Sequence, residues 1–240
     1  MLSRSTFLSA LTIILLISAT ISSYADRRNY VWNYEYQILE KGETELENYL
    51  TITTPKADSM KGISTTTLQL EYEIGMTKHF DFAIYQVFQQ SPGQSLSYEG
   101  YKLRARYKFG EKNDFFVDPL LYIEYAGKPD FSSHEIETKL ILSKDFGNFN
   151  IVFDPVIEIE KESLEWEMIF GYSFGLRYTV SNLFSFGLEA LGDDHGNYVG
   201  PTISHGTEKA WISLGSLFKA GKILDDAPEF QIRLLMGFAL

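Results

Sequence analysis

The chain has 240 residues, of which 45% are hydrophobic and 15% aromatic, and it contains no cysteine. These proportions exclude a disordered chain, which lacks aromatic residues, and a disulfide scaffold, which needs cysteine. A helical membrane protein is also excluded, because the chain has no apolar run of about 20 residues. The formal net charge of −11 argues against nucleic acid as a partner, since phosphate binding needs basic patches.

The longest apolar run lies at the N-terminus, at residues 7–21. It follows Arg4 and is followed by Ser23, Tyr24 and Ala25. A positive start, an apolar stretch of about 15 residues and a small-x-small ending are typical of a secretory signal peptide. We therefore predict a signal peptide at residues 1–25, cleaved after Ala25, and an exported mature chain.

Residues 26–42 form a separate N-terminal segment that carries an aromatic row. This row has three alternative interpretations: an additional strand, an anchor at a membrane boundary near the periplasmic rim, or a segment inside the lumen of a barrel. The rim anchor is the preferred interpretation, because aromatic side chains favour membrane boundaries. The segment is too short for a plug domain. The row consists of Tyr30, Trp32, Tyr34 and Tyr36.

From residue 43 onward, apolar and polar residues alternate with a period of two, which is typical of β-strands. The alternation is clearest at residues 101–109, where one face is apolar and the other carries four cations. Clusters of Gly, Asn, Asp, Pro and Lys separate the alternating segments. The pattern predicts strands at residues 43–53, 64–75, 80–89, 97–109, 115–126, 134–143, 149–160, 166–178, 184–191, 198–204, 209–219 and 229–240.

Short and longer connections between these strands are predicted to alternate along the chain, so that they fall at opposite ends of an up-and-down sheet. Short ones are expected at residues 76–79, 110–114, 144–148, 180–182 and 205–208. Longer ones are expected at residues 54–63, 90–96, 127–133, 161–165, 192–197 and 220–228.

An even number of such strands, with short turns at one end, is typical of a transmembrane β-barrel. The sheet must close, because an edge strand in lipid would leave its N–H and C=O groups unpaired. We therefore predict an all-β, up-and-down antiparallel transmembrane β-barrel of about 12 strands at residues 43–240. Both ends of the mature chain would then lie in the periplasm. A soluble sheet with a solvated polar face is the alternative.

The last strand alternates apolar residues up to the chain end and is similar to the closing strand of Gram-negative outer-membrane proteins. It departs from their pattern by ending in Leu240, with Phe238 two residues earlier. Residues 43–240 also resemble uncharacterised, transporter-like outer-membrane barrels near the phenol-degradation meta-pathway family. The resembling stretches are Glu73-Ile74-Gly75-Met76-Thr77 leading to Phe80, Asp118-Pro119 followed by Glu124, Glu137 to Lys144-Asp145-Phe146-Gly147, and Gly200-Pro201-Thr202.

These resemblances imply an outer-membrane location in a Gram-negative bacterium and contact with outer-membrane lipid. They also imply recognition of the C-terminal strand by the barrel-assembly machinery, and a transport function with small solutes as partners.

Charged residues on the predicted inner face are the candidate functional residues. One interpretation is an interior ladder of ion pairs that rigidifies a narrow barrel. The other is a charged pore wall that selects solutes by field and size, with a preference for cations because acids are in excess. The predicted lumen residues are Glu71, Glu73, Lys102, Arg104, Arg106, Lys108, Glu124, Glu135, Glu137, Lys139, Arg177 and Arg233.

The leading functional hypothesis is a channel or facilitator for small solutes with a charged lumen. The alternative is a closed structural or surface-interaction barrel held by interior ion pairs. A second alternative, an outer-membrane hydrolase, rests on Asp193-Asp194-His195 and Asp225-Asp226 in predicted loops, although acidic loop tips are common.

No catalytic residue, cofactor or metal is predicted. Ser204 and His205 are adjacent in a strand and therefore point to opposite faces. None of the four histidines has another His or a Cys at ligand spacing.

Overall fold

The structure, a computed structural model, describes residues 27–58, 60–162, 165–207, 209–222, 224 and 227–240. It is a closed barrel of 12 antiparallel strands, in which every strand pairs with its neighbours in sequence and the last returns to the first. Within these residues, no helix has the length and apolarity that crossing a membrane requires. The predicted signal peptide lies outside the described residues.

All 12 predicted strands are present. The largest differences in their bounds are three residues: one strand begins at Asp118 instead of residue 115, one ends at Phe146 instead of residue 143, and one ends at Ser181 instead of residue 178. The strands are β1 (Thr44–Thr54), β2 (Thr65–Thr77), β3 (Phe80–Gln90), β4 (Ser97–Lys108), β5 (Asp118–Gly127), β6 (Ser133–Phe146), β7 (Phe149–Glu162), β8 (Glu165–Ser181), β9 (Phe184–Asp193), β10 (Gly196–Gly206), β11 (Ala210–Lys219) and β12 (Phe230–Ala239).

Alternation along the strands separates an apolar outer face from a polar interior. In β4, Arg104 and Arg106 are buried, whereas Leu103 and Tyr107, which flank them in sequence, are exposed. The same outward apolar positions recur around the barrel, so a broad apolar surface faces outward. Such a surface is stable when hydrocarbon covers it, as in transmembrane barrels. It includes Tyr72, Ile84, Leu103, Ile123, Leu140, Phe153, Phe174, Leu188, Ile203 and Leu214.

The two ends of the barrel differ less in connection length than predicted. We call the end with the β2–β3 connection at residues 78–79 the turn end, and the opposite end the loop end. At the turn end, the β4–β5 connection spans residues 109–117 and is longer than expected.

At the loop end, two connections predicted to be long are tight hairpins. Glu162 pairs with Glu165 across the β7–β8 connection, and Asp193 pairs with Gly196 across the β9–β10 connection. The sequence prediction was wrong here because it assigned the charged and glycine-containing residues 161–165 and 192–197 to loops. Backbone pairing continues through these charged residues, because the hydrogen bonds between strands use only backbone N–H and C=O groups.

Residues 27–42, which we call the lumen segment, enter the barrel; residues 28–39 are mostly buried in it, and residues 40–42 are exposed at one end. Arg27 donates hydrogen bonds to the carbonyl oxygens of Asn182 (2.6 Å) and Gly206 (3.1 Å) at the turn end. The hydroxyl of Tyr36 donates to the carbonyl oxygens of Phe109 (3.0 Å) and Gly110 (2.7 Å) at the same end. The chain therefore enters from the turn end, reaches the interior of the barrel and returns.

The preferred interpretation of this segment as a rim anchor is wrong. Tyr30 is 0% exposed and Tyr34 is 7% exposed, so the aromatic row is enclosed by the barrel wall. Hydrogen bonds contribute to this placement as well as apolar packing, because the backbone N–H groups and hydroxyls of the segment donate to acceptors on the inner face of the barrel. Of the three interpretations, the segment inside the lumen is the one that the structure shows.

Candidate functional site

The lumen segment is held to the barrel wall chiefly by Glu189 of β9. Its carboxylate accepts hydrogen bonds from the backbone N–H groups of Val31, Trp32 and Asn33, each at 2.8 Å. It also accepts one from the side-chain amide of Asn33 at 2.9 Å. Successive N–H groups that converge on one carboxylate form an anion-binding concavity, so a fixed charge on the wall determines the path of the segment.

Two further wall residues on β7 support the same path. Asp154 accepts a hydrogen bond from the backbone N–H of Tyr34 at 3.1 Å. The backbone carbonyl of Asn150 accepts one from the hydroxyl of Tyr30 at 3.0 Å. The segment is therefore bound to β7 and β9 through groups buried from solvent.

Two glycines of the wall make space for the segment. A Cβ atom on Gly175 would lie 2.6 Å from the Tyr30 ring, and one on Gly215 would lie 2.5 Å from the Trp32 ring. Both distances are far below van der Waals contact. The absence of a side chain at these positions is thus a steric requirement for placing the aromatic row in the lumen.

Toward the turn end, five charged residues of β2, β3 and β4 form what we call the buried network: Glu71, Glu73, Asp81, Arg104 and Arg106. Arg104 pairs with Glu71 at 2.8 Å and with Glu73 at 2.5 Å. Arg106 bonds to the Asp81 carboxylate at 3.0 and 3.1 Å through Nε, and also pairs with Glu73. All five residues are at most 2% exposed.

The buried network corresponds to the ion-pair ladder that the sequence suggested for this row. Both arginines also lie 5.8 Å from the centre of the Tyr34 ring, so the lumen segment is close to the network. Within the described residues, the network is enclosed by protein groups and does not border the main cavity described next.

Toward the loop end, the lumen contains a cavity of about 420 Å³. It reaches the loop end at Asp193, an exposed residue, and Val31, Trp32 and Tyr34 of the lumen segment line it from within. Its charged lining residues are Arg28, Lys102, Glu124, Glu137, Lys139, Glu158, Glu160, Asp193 and Arg233, and His195 also lines it.

Two of the lysines in the cavity wall are paired with acids. Lys102 pairs with Glu124 at 2.8 Å, and Lys139 pairs with Glu137 at 3.1 Å. Lys102 is two residues from Arg104 on the same face of β4, yet its side chain is 26% exposed while that of Arg104 is 0% exposed. One face of one strand therefore contributes both to the buried network and to the cavity wall.

Acids outnumber bases on one side of this wall. The carboxylate oxygens of Glu135, Glu158 and Glu160 lie within 4.8 Å of one another, on the neighbouring strands β6 and β7. On β12, which is six strands away from β6 in the closed barrel, Arg233 donates to the Thr51 hydroxyl at 2.9 Å. The two sides of the cavity thus carry opposite charge.

Besides the four predicted lumen residues that belong to the buried network, three more lie outside the lining of the main cavity. Lys108 lies toward the turn end, with its ammonium group 5.4 Å from the centre of the Tyr36 ring. Arg177 pairs with Glu35 of the lumen segment at 2.8 Å. Glu135 lines a smaller neighbouring cavity of about 160 Å³.

The residues behind the hydrolase hypothesis are explained by turn chemistry where they are described. The Asp193 carboxylate accepts hydrogen bonds from the backbone N–H groups of His195 (2.8 Å) and Gly196 (3.1 Å). This is a common way for Asp to stabilise a tight turn. Asp225 and Asp226 lie outside the described residues.

Glu189 and Asp154 alternate in phase with the inner face of the barrel, but nothing in the sequence near them indicates that they bind the lumen segment. Asp81 lies between Phe80 and Phe82 in a clear alternation and could have been named as a partner for Arg106.

Comparison with known proteins supports the fold. A scan of the sequence against protein families finds no match, and neither does a search of curated proteins. Among solved structures, an outer membrane channel from Pseudomonas putida F1 has a TM-score of 0.61 at 12% identity, over 88% of this chain and 100% of that one.

Two porins are also similar to this chain. The NanC porin has a TM-score of 0.57 at 8% identity, over 82% of this chain and 100% of its own. The KdgM porin, solved in complex with disordered oligogalacturonate, has a TM-score of 0.54 at 8% identity, over 82% of this chain and 99% of its own. At these identities the likeness extends to the barrel fold. The link to the phenol-degradation meta-pathway family stays a prediction.

Proposed function

We propose that this chain is a channel for small solutes in the outer membrane of a Gram-negative bacterium, with charged residues of its lumen as the selective wall. The observation that carries the proposal is the cavity of about 420 Å³ inside a closed barrel, reached from the loop end and lined by charged side chains. The outward apolar surface supports a membrane location. The shared fold with outer-membrane channels and porins supports the same class of function.

The lumen segment sets the condition for passage. Trp32 and Tyr34 of the segment line the cavity, and the segment bonds to the turn end on both sides of the lumen. A solute that enters from the loop end therefore meets the segment before it can leave at the turn end. Movement of this segment would open a path from the cavity to the turn end of the barrel.

The second candidate function is a closed structural barrel, and it is favoured by the same segment together with the buried network. The two candidates differ in one measurable property, namely the conductance of the full chain. We would record single-channel currents in planar bilayers for the mature chain and for a variant that lacks residues 27–40.

A channel requires discrete openings from the mature chain, and longer and larger openings from the shortened variant because the obstruction is gone. Currents from the shortened variant alone would show that the natural chain is a closed barrel. The absence of current from both proteins would also contradict the proposed channel function. Heat-modifiable gel mobility in detergent serves as the control that each barrel is folded.

The location and assembly parts of the proposal have their own test. We propose export by the signal peptide at residues 1–25, contact with outer-membrane lipid, and recognition of the C-terminal strand by the barrel-assembly machinery. Membrane fractionation should place the protein in the outer membrane without its leader. Changing Phe238 to Ser should reduce the assembled amount, because an apolar residue of the closing strand would be lost. Recovery in the inner membrane would contradict the location.

The selective wall is expected to favour cations. Glu158 and Glu160 add negative charge to a cavity whose lysines are already paired with acids. A charged constriction concentrates counter-ions and repels ions of its own sign. In a potassium chloride gradient, the reversal potential should therefore indicate preference for potassium, and preference for chloride would contradict this assignment.

A further inference from the structure

Two buried donors of residues that line the cavity have no acceptor among the described protein groups. The terminal nitrogens of Arg28 donate to the Tyr49 hydroxyl at 3.2 Å and to the Asn33 carbonyl oxygen at 3.1 Å, which leaves its Nε–H. Arg28 is 5% exposed and lines the cavity, and its Nε–H has no hydrogen-bond partner in the described part of the chain. Trp32 also lines the cavity, and its indole N–H likewise lacks a partner there. A buried donor without an acceptor is costly, which points to an acceptor that comes from outside the protein.

Arg233 stands beside these donors. Its guanidinium carbon lies 5.4 Å from the centre of the Trp32 ring, and its hydrogen bond to the Thr51 hydroxyl engages Nε. Within the described residues, neither Arg28 nor Arg233 forms an ion pair with a carboxylate. The Arg28 Nε–H, the Arg233 guanidinium and the Trp32 indole N–H belong to residues that line the same cavity, and donors of these types match the hydrogen-bonding requirements of a carboxylate.

The other side of the same cavity carries the opposite charge. Glu158 and Glu160 of β7 line it, and their carboxylates cluster with that of Glu135. In register, Glu158 faces Glu137 and Glu160 faces Glu135 across β6 and β7, so like charges stand directly opposite one another. Such pairs are destabilising unless a positive group approaches them.

We propose that the cavity binds a zwitterionic solute of about dipeptide size, with its carboxylate at Arg28, Trp32 and Arg233 and its ammonium group at Glu158 and Glu160. This inference rests on the proposed channel function and names its solute class. The cavity volume of about 420 Å³ lies within the range of small-molecule sites. Polar groups at two opposite ends would orient the solute, and the aromatic rings of the wall would cover its middle.

The lumen segment is then part of the binding site as well as the obstruction. Arg28 and Trp32 belong to the segment, whereas Arg233 and both glutamates belong to the wall. Bound solute would connect the segment to the wall, so this site exists only while the segment is inside the barrel.

The experiment is isothermal titration calorimetry on the full mature chain in detergent, with three matched probes. Glycylglycine carries both charges, N-acetylglycylglycine carries the carboxylate alone, and glycylglycinamide carries the ammonium group alone. We expect glycylglycine to bind at least about tenfold more tightly than either of the others, since each loses one charged contact.

Variants assign each end. Arg233→Gln should remove the advantage of glycylglycine over glycylglycinamide, and the pair Glu158→Gln and Glu160→Gln should remove its advantage over N-acetylglycylglycine. Glu229→Gln, an acid at the loop end outside the cavity lining, is the matched control and should leave all three affinities unchanged. Arg233→Lys keeps the charge and serves as a second variant if the Gln variant fails to fold.

Three results would overturn the inference. Equal or tighter binding of N-acetylglycylglycine would indicate an anion site, equal or tighter binding of glycylglycinamide would indicate a cation site, and absence of heat with all three probes would indicate no such site. Bilayer conductance of the same preparation separates the two proposals: a conducting chain without zwitterion binding keeps the channel and loses the solute class.

Discussion

The buried network and the cavity wall arise from the same alternating sequence pattern, but their side chains lie in different environments. Arg104 is enclosed and bonded to two carboxylates, whereas Lys102, on the same face of the same strand, borders the cavity and bonds to one. The residue types agree with this difference, because a guanidinium can satisfy several acids at once in a dry site. The comparison teaches that a charged inner face is not a single surface: some of its charges are enclosed by protein and others border the cavity.

The largest effect should come from breaking the buried network. Arg104→Ala leaves Glu71 and Glu73 buried with less compensation, which costs about 3–5 kcal/mol for a buried pair that loses one partner. We expect a correspondingly lower free energy of unfolding in urea, followed by heat-modifiable gel mobility.

The matched control in the cavity wall is Lys102→Ala, which should cost less, about 1–3 kcal/mol, because Glu124 borders the cavity and keeps a hydrogen bond from the Tyr122 hydroxyl. Equal destabilisation by the two variants would show that the two regions do not differ in the way the structure indicates.

The second-largest effect should come from releasing the lumen segment, which contacts both the buried network and the cavity. Glu189→Ala removes the acceptor of three backbone N–H groups, and each buried donor left without a partner costs about 1–3 kcal/mol unless the segment leaves the lumen. We therefore expect longer channel openings in planar bilayers, approaching those of the variant without residues 27–40. Glu189→Gln keeps one oxygen acceptor and should be intermediate.

Glu167→Ala, a change at an exposed acid of β8, is the control for Glu189→Ala. Openings that do not change in Glu189→Ala would mean that this carboxylate does not hold the segment.

A smaller effect is expected from crowding the segment. Gly215→Val would place atoms within 2.5 Å of the Trp32 ring, and overpacking of this kind costs about 1–3 kcal/mol. Displacement of Trp32 should appear as a change in tryptophan fluorescence together with more frequent openings. Gly171→Ala, where the nearest atom to the new Cβ is a backbone oxygen at 3.2 Å, is the milder control and should leave the fluorescence nearly unchanged.

The smallest effect should come from the cavity wall itself. Lys139→Gln leaves Glu137 without its partner and increases the negative charge of the lumen, so potassium should be favoured more strongly over chloride. The reversal potential should move by a few millivolts in a salt gradient, with little change in unfolding. Lys209→Gln, an exposed change at the turn end, should not move it. A shift toward chloride would contradict the assigned role of the wall.

Much of the fold was predictable because the alternation in this chain is local. Residues 101–109 show both faces of a strand within nine positions, and the same period recurs in every strand of the barrel. Connection lengths were less predictable, since charges at residues 161–165 look like a loop although the ladder of β7 and β8 continues through them. Predicted membership of the inner face also did not distinguish Arg106, which is buried, from Lys139, which lines the cavity.

The sequence by itself determined the closed, up-and-down barrel, because strand period is a property of neighbouring residues. Only the tertiary structure decided that residues 27–42 lie in the lumen, since their acceptors on Glu189 and Asp154 are more than a hundred residues away along the chain. The same long-range contacts divide the interior into a buried network and a cavity. Charge pairing across a closed barrel depends on which strands face one another, and no local pattern contains that information.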